Sequence, residues 1–263
     1  MVAALDDCMT HNATMDRLRV ATYNIHKGVQ GLGLGQRLEI HNLGLAVEQF
    51  DADIVCLQEV RHFHHRHARR FERWPSESQA DYLAPPGYHA VYRTNAVTRH
   101  GEHGNAVLTR WPVLTHQHED VSDHRLEQRG LLHVEVLHQN QPVHVIVVHL
   151  GLLAGSRRRQ VEQLKRFIKR EIPVGEPLVV AGDFNDWGGS LAPALGQAGL
   201  QAGSGKPVPT FPSRLPLVQL DYIYTRGLQL SHRFAPHGPA WGRFSDHLPL
   251  IADFHWPQEA VPA

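Results

Sequence analysis

The sequence predicts a single β-rich α/β domain, and three observations carry that expectation. Short apolar runs of strand length recur along the chain, separated by Gly, Pro, Asn and Asp clusters. Longer segments place apolar residues at helical spacing. With 263 residues and 42% hydrophobic content the chain can bury a substantial core, and a β-rich sandwich of this length is commonly one domain. The expected division is a flexible N-terminal segment over 1–17, one domain over 18–256 and a tail over 257–263.

Taken in order, strands are expected near 18–24, 53–59, 88–93, 104–109, 130–138, 143–149, 177–183, 220–224 and 248–254, and helices near 38–50, 157–171 and 190–199. Ser156 reads as the N-cap of the second helix, with Val161, Leu164 and Ile168 on one side and the charged residues solvated. The run Gly28 to Gly35 lacks the strand-turn-helix spacing of a dinucleotide fingerprint and reads as a flexible loop. Pro207, Pro209, Pro212 and Pro216 predict a stiff, shaped loop around Phe211. No internal repeat or low-complexity linker interrupts the chain.

Lys plus Arg equals Asp plus Glu at 26 each, which excludes the strong positive field of a non-specific nucleic-acid coat protein. Basic density is local, in Arg61 to Arg73 and Arg157 to Arg170, and most of it reads as solvated surface. The 21 histidines include His62, His64, His65 and His67, but that segment has no Cys partners and no zinc-type spacing. A surface loop is expected there rather than a metal buffer. Cys8 and Cys56 lie far apart, and Cys56 sits inside an apolar strand as an ordinary buried thiol. With no visible export signal and no apolar stretch near the roughly 18 residues of a membrane helix, a cytoplasmic, disulfide-free monomer is expected.

The ends of the apolar runs carry the chemistry. Asn24, Glu59, His149 and Asp183 close or follow four of them, while Asp221 opens another and Asp246-His247 precede the last. These groups share one rim if the last two strands run antiparallel to the first four, which predicts a single cleft. In extended chain, residues i and i+2 share a face, so Asp183 is expected beside Asn185, and Asn24 beside His26. By the same rule Asp246 and His247 point apart, leaving Asp221 as the acid that orients His247. Glu59, Asp246 and the Asn24 amide oxygen are hard ligands of the kind Mg2+ or Mn2+ prefers, and no thiolate is on offer for zinc.

The segments Thr22-Tyr-Asn-Ile-His26, Leu57-Gln-Glu-Val60, Val148-His-Leu150, Gly182-Asp-Phe-Asn185, Leu220-Asp-Tyr-Ile223 and Ser245-Asp-His-Leu248 occur in the order of the endonuclease/exonuclease/phosphatase superfamily, which the chain resembles from about 18 to 255. Gly104 to Pro112 is similar to a further segment of that family. The resemblance implies a four-layer α/β sandwich, with two mixed sheets face to face and helices outside, and divalent-metal phosphoester hydrolysis. It implies Glu59 as the principal metal carboxylate, with Asn24 beside it and Asp246 as a further ligand. It implies Asp183 as the residue that positions or deprotonates water and Asn185 as the holder of a phosphate oxygen. His247, held by Asp221, would stabilise the transition state, and His149 resembles a second imidazole near the leaving group. Arg61 and Arg129 are phosphate-contact candidates, and His26, Asn105, Trp187 and Phe211 substrate-contact candidates.

Some nuclease branches carry an acid where this chain has His26. The patterns around Asn24 to Gly28, His103 to Asn105 and Gly182 to Trp187 resemble instead a bacterial subgroup of uncertain substrate. The expected activity is that of a phosphodiesterase. The alternatives are a nuclease acting on DNA or RNA, a phospholipid or small-molecule phosphatase using the aromatic residues Phe211, Trp187 and Trp241, and a catalytically silent binding module.

Overall fold

The central strands of this chain are buried on both faces, which is why their sequences read as near-continuous apolar runs. In the computed structural model, which describes residues 17–257, they build the middle of two mixed sheets. Cys8 and most of the expected terminal segments lie outside the described residues.

Strands β1 (Arg17–Asn24), β4 (Ile54–Val60), β5 (His89–Thr98), β6 (Gly101–Thr109), β12 (Gln229–Phe234) and β13 (Leu250–His255) form a six-stranded sheet in the order β12-β13-β1-β4-β6-β5. Strands β7 (Val113–Asp120), β8 (Gly130–His138), β9 (Gln141–His149), β10 (Leu178–Asp183) and β11 (Asp221–Arg226) form a five-stranded sheet in the order β11-β10-β9-β8-β7. Each sheet holds one parallel pair, β1 with β4 and β9 with β10, and its other pairs are antiparallel. β2 (Val29–Gln30) and β3 (Arg37–Leu38) make a small ribbon where the sequence suggested only a flexible loop.

Alternation along the strands produces the four layers. Leu18, Val20, Ile54, Cys56, Val145, Val147, Val179 and Ala181 meet between the sheets. The intervening residues face outward: Ala21, Tyr23, Val55 and Leu57 pack on helix α1 (Ile40–Phe50), and Ile146, Val148, Leu178 and Val180 pack on helix α4 (Ala154–Glu171). The architecture is the expected four-layer α/β sandwich. No helix among the described residues is long and apolar enough to cross a membrane.

The structure departs from the sequence reading at the margins. β7 and β12 went unread because their side chains are largely exposed and polar, so no apolar period marks them. The His62 to His67 segment is not a plain loop: His64 caps a short helix, α2 (His65–Arg70), accepting from the His67 amide, and His67 is buried. Two further short helices, α3 (Gln79–Leu83) and α6 (Trp241–Phe244), a shortened α5 (Ala192–Gly196) and two 3-10 turns, His26–Gly28 and Gly33–Gly35, complete the elements among the described residues. Ser156 is not the N-cap of α4. The helix begins at Ala154, and the buried Ser156 hydroxyl donates to Asp123 Oδ2 at 2.6 Å. Nor is Arg157 solvated; it is buried and donates to the carbonyls of Gly151 and Leu152.

Gly182 shows how tightly the central pair is drawn together. Its φ is +151°, and a Cβ there would lie 1.9 Å from the Val148 carbonyl oxygen on β9. Gly182→Ala is therefore expected to lower unfolding stability by about 3 kcal/mol in urea denaturation. Gly188→Ala, whose Cβ meets nothing within 4 Å, is expected to stay within about 0.5 kcal/mol.

Candidate active site

Strand register brings the polar strand ends together. His149 on β9 is paired with Asp183 on β10, and Asp183 with Asp221 on β11, so three polar residues stand level on adjacent strands. His149 Nε2 lies 3.5 Å from Asp183 Oδ2. From the opposite sheet the Asn24 amide donates to the same oxygen at 3.1 Å, tying the two sheets across the cleft. His247, in the segment leading into β13, places Nδ1 2.8 Å from Asp221 Oδ2 and Nε2 3.6 Å from Asp183 Oδ2. Thr210, from the proline-rich loop, donates its hydroxyl to Asp221 Oδ2 at 2.6 Å. Asp183, Asp221 and His247 thus bring three ligand-capable atoms within 4.8 Å of one another.

These groups are almost fully buried, and burial alone disfavours every charge among them. Burial pushes the Asp183 carboxyl up to about 7, opposed by His247 and reinforced by Asp221. Burial also works against the His247 cation, but Asp221 and Asp183 outweigh it and raise His247 to about 10. His149 goes the other way. Its burial, with Arg129 nearby, holds it well below the ordinary histidine value and keeps it neutral.

A second cluster is organised by one turn after β1. His26 and Lys27 both take left-handed φ values, 46° and 63°. The Lys27 ammonium reaches Glu59 Oε2, and His26 Nδ1 lies 3.2 Å from Asp246 Oδ1. Burial opposes ionisation of Glu59, yet the Lys27 ammonium prevails and holds it far below the carboxylate range. Asp246 is likewise kept low, its His26 contact outweighing burial. The side-by-side placements that strand alternation suggested arise instead from turns. Asn24 Oδ1 accepts from the His26 amide at 3.1 Å, and Asp183 Oδ1 from the Asn185 amide at 2.9 Å, with Asn185 at φ 49°.

The remaining candidates sit around this centre. The Asn185 side chain donates to the Leu150 carbonyl at 2.9 Å. Phe211 packs on His247 with ring centroids 5.0 Å apart, and Trp187 meets Phe211 edge-on at 6.2 Å, while Trp241 stacks on Phe50 in the helix layer. Asn105 is buried between the sheets and donates to the carbonyls of Gly130 and Val147. Arg129 lines a cleft beside Glu59 and donates to Glu127 Oε1 and the Leu150 carbonyl. Arg61, a phosphate-contact candidate two residues after Glu59, places its guanidinium 2.6 Å from His67 Nδ1. Glu59 itself has φ 57°, and the β4 register shifts there. Sequence reasoning passed over Lys27, His103, Thr210 and Ser245. Ser245 is buried, and its hydroxyl donates to the Asn24 carbonyl at 2.6 Å, fastening the Asp246-His247 segment to β1.

The model of the Endonuclease/Exonuclease/phosphatase family matches residues 21–247 of this chain. The chain is 40% identical over 245 residues to "Uncharacterized protein YbhP" of Escherichia coli (strain K12), covering 90% of this chain and 96% of that protein. Among solved structures, an endonuclease/exonuclease/phosphatase from Beutenbergia cavernae DSM 12333 superposes with a TM-score of 0.70 at 20% identity, covering 94% of this chain and 74% of that one. D. rerio TDP2 complexed with single strand DNA product has a TM-score of 0.65 at 18% identity, covering 91% of this chain and 99% of that one.

The His247 shift has a measurable consequence. A histidine raised from 6.5 to about 10 by folding adds stability that is complete below pH 6.5 and lost as pH rises through about 10. Its ring is expected to remain an imidazolium at pH 8 by 15N NMR, and Asp221→Asn to bring its midpoint down toward 6.5. An unchanged midpoint in that variant would contradict the assignment of cause.

Proposed function

The chain belongs to the endonuclease/exonuclease/phosphatase family, and on that premise we propose that its cleft hydrolyses phosphodiesters by metal-assisted attack of water on phosphorus. One observation carries the reading: a buried carboxyl, Asp183, faces a buried imidazolium, His247, across 3.6 Å, with Asp221 behind the imidazolium and burial holding the Asp183 carboxyl above the ordinary carboxylate range. A base near neutrality and a fixed cationic donor are what attack on a phosphate anion requires.

In this reading Asp183 takes the proton from water as the water oxygen bonds to phosphorus. The P–O bond to the leaving group breaks, and the leaving oxygen takes a proton from solvent. His247 Nε2 donates to a phosphoryl oxygen and meets the charge that grows there. Asp221 and Thr210 hold the ring. Asn24 orients Asp183 through its amide, neutral His149 packs beside the same carboxylate, and Asn185 holds a second phosphoryl oxygen.

The chain offers two donor sets for a divalent ion. Within Asp183, Asp221 and His247, the His247 Nδ1 is taken by Asp221 and the ring is charged, whereas a ligating imidazole must be neutral. Glu59 and Asp246, with the Asn24 amide oxygen, are ionised hard-oxygen donors flanking one turn, which fits Mg2+ or Mn2+ better. A divalent ion held there supplies neutralising charge to a phosphoryl oxygen. Lys27 and His26 compete with it for the same carboxylates.

A diester is favoured over a monoester by the space available. A cleft of about 710 Å³ opens beside Glu59, and Phe211, packed on His247 with Trp187 against it, offers an apolar surface by the imidazolium, so both phosphate substituents have a place. Glu59→Gln and His247→Ala are each expected to lower Mg2+- or Mn2+-dependent kcat on bis(p-nitrophenyl) phosphate by about a hundredfold or more. EDTA should abolish turnover, and p-nitrophenyl phosphate should be the poorer substrate. Full turnover in either variant would sink the mechanism.

A further inference from the structure

We propose that a basic pocket between α2, the turn joining β5 to β6 and the loop of the β2–β3 ribbon binds an oligophosphate anion, with one phosphoryl group in the pocket and the next in a concavity beside it. The site lies outside the catalytic centre and does not rest on the phosphodiesterase reading. Arg66, His67 and Arg70 of α2 line the pocket with His64 and His100, and Gly33 and Gln36 close it, around about 380 Å³. The concavity, about 440 Å³, is lined by His65, Arg66, Arg69 and His100. Arg66 and His100 therefore stand between the two, and neither hollow shares a residue with the cleft beside Glu59.

The walls are held by contacts within the protein. Gly101 lets the β5–β6 turn press on the segment before α2: a Cβ there would lie 2.5 Å from the Phe63 carbonyl oxygen, and the His65 amide donates to the His100 carbonyl at 2.9 Å. Arg70 Nη1 donates to Gln36 Oε1 at 3.0 Å, tying α2 to the ribbon. Behind His67 lies Arg61, only 8% exposed, whose Nη1 donates to His67 Nδ1 at 2.6 Å and whose buried Nε has no partner among the described residues. Burial, reinforced by the Arg61 charge, lowers His64 to about 4 and His67 to about 3, so both rings are neutral at pH 7. Their Nδ1 atoms already accept, His64 from the His67 amide at 3.1 Å and His67 from Arg61, so each neutral ring carries its proton on Nε2 as a donor.

The positive charge gathered here is not cancelled by the lining. No Asp or Glu lines the pocket or the concavity, and among the described residues Arg61, Arg66 and Arg69 form no ion pair. The same field argues against a metal ion, because the guanidinium groups repel a cation and the Nδ1 atoms of His64 and His67 are taken. Guanidinium forks and imidazole N–H groups without a carboxylate suit a compact anion rich in acceptor oxygens. Two adjoining basic hollows that share Arg66 favour phosphoryl groups linked through an anhydride oxygen over a single phosphate.

The test is isothermal titration calorimetry of the full chain with inorganic pyrophosphate and with orthophosphate, in metal-free buffer at about 0.15 M KCl, so that diffuse surface attraction is screened. Wild type is expected to bind one pyrophosphate per chain, and more tightly than orthophosphate. Arg66→Ala should weaken both ligands about tenfold or more, whereas Arg69→Ala, which alters the concavity alone, should weaken pyrophosphate and spare orthophosphate. Both side chains are exposed, so the fold and the turnover of bis(p-nitrophenyl) phosphate should be unchanged. Arg158→Ala, at an exposed arginine of α4, serves as the control for general loss of charge. Absence of pyrophosphate binding by wild type, full affinity in Arg66→Ala, or an equal loss in Arg158→Ala overturns the site. Equal affinities for the two anions, with Arg69→Ala silent, overturn the assignment of a second phosphoryl group. A single-stranded oligonucleotide held by Arg66 and Arg69 where pyrophosphate is not would overturn the proposal too, making these arginines a polynucleotide contact.

Discussion

The hydrogen bond between His247 Nδ1 and Asp221 Oδ2 is the contact on which the cleft depends. Strand register puts Asp183 and Asp221 directly opposite one another in the interior, and two carboxylates so placed repel and are poorly solvated. An imidazolium lodged against both makes the arrangement stable. It also divides the labour. Asp221, bonded by His247 and Thr210, is committed to holding the ring, while burial raises the Asp183 carboxyl and leaves it to act as a base. His247 comes from the segment leading into β13 of the six-stranded sheet and both acids from the five-stranded one, so the same bond ties the two sheets together at the rim.

The two sheets reach that rim by similar means. In each, a parallel pair of buried strands ends level with a side-chain amide or carboxylate that bonds the backbone two residues on, Asn24 to His26 and Asp183 to Asn185. The chain then turns sharply through a left-handed residue and leaves the polar group facing the cleft. Beyond that residue the two turns diverge. After Asp183 the Asn185 side chain bonds the Leu150 carbonyl and Asp186 accepts from the Ser190 hydroxyl and the Leu191 amide, whereas after Asn24 the turn carries His26 and Lys27 onto Asp246 and Glu59. The carboxylates of the hard-oxygen set are thereby kept ionised, Glu59 largely buried and Asp246 partly exposed, which suits a site that must exchange one cation for another.

Much of this was legible because strands buried on both faces are uninterrupted apolar runs, so the first polar residue after each run stands out. That logic reached Asn24, His149, Asp183 and Asp221, and it identified Asp221 rather than the adjacent Asp246 as the acid able to meet His247. It failed where the alternation fails. Arg61 could not be oriented from Glu59 because the left-handed Glu59 and the shifted β4 register break the period between them. Lys27, Thr210 and Ser245 were passed over because single polar residues in turns carry no periodic signal, and their partners lie far off in sequence. The edge strands β7 and β12 were missed for the converse reason: their faces are mostly wet, so their sequences look like loops.

That this buried acid and imidazolium direct water onto phosphorus is tested most directly by hydrolysing bis(p-nitrophenyl) phosphate in 18O-enriched water with Mg2+ or Mn2+ and locating the label by mass spectrometry. Metal-dependent turnover with one 18O in p-nitrophenyl phosphate and none in p-nitrophenol is the predicted result. Label in the phenol, or turnover indifferent to metal and to loss of Asp183, would contradict it.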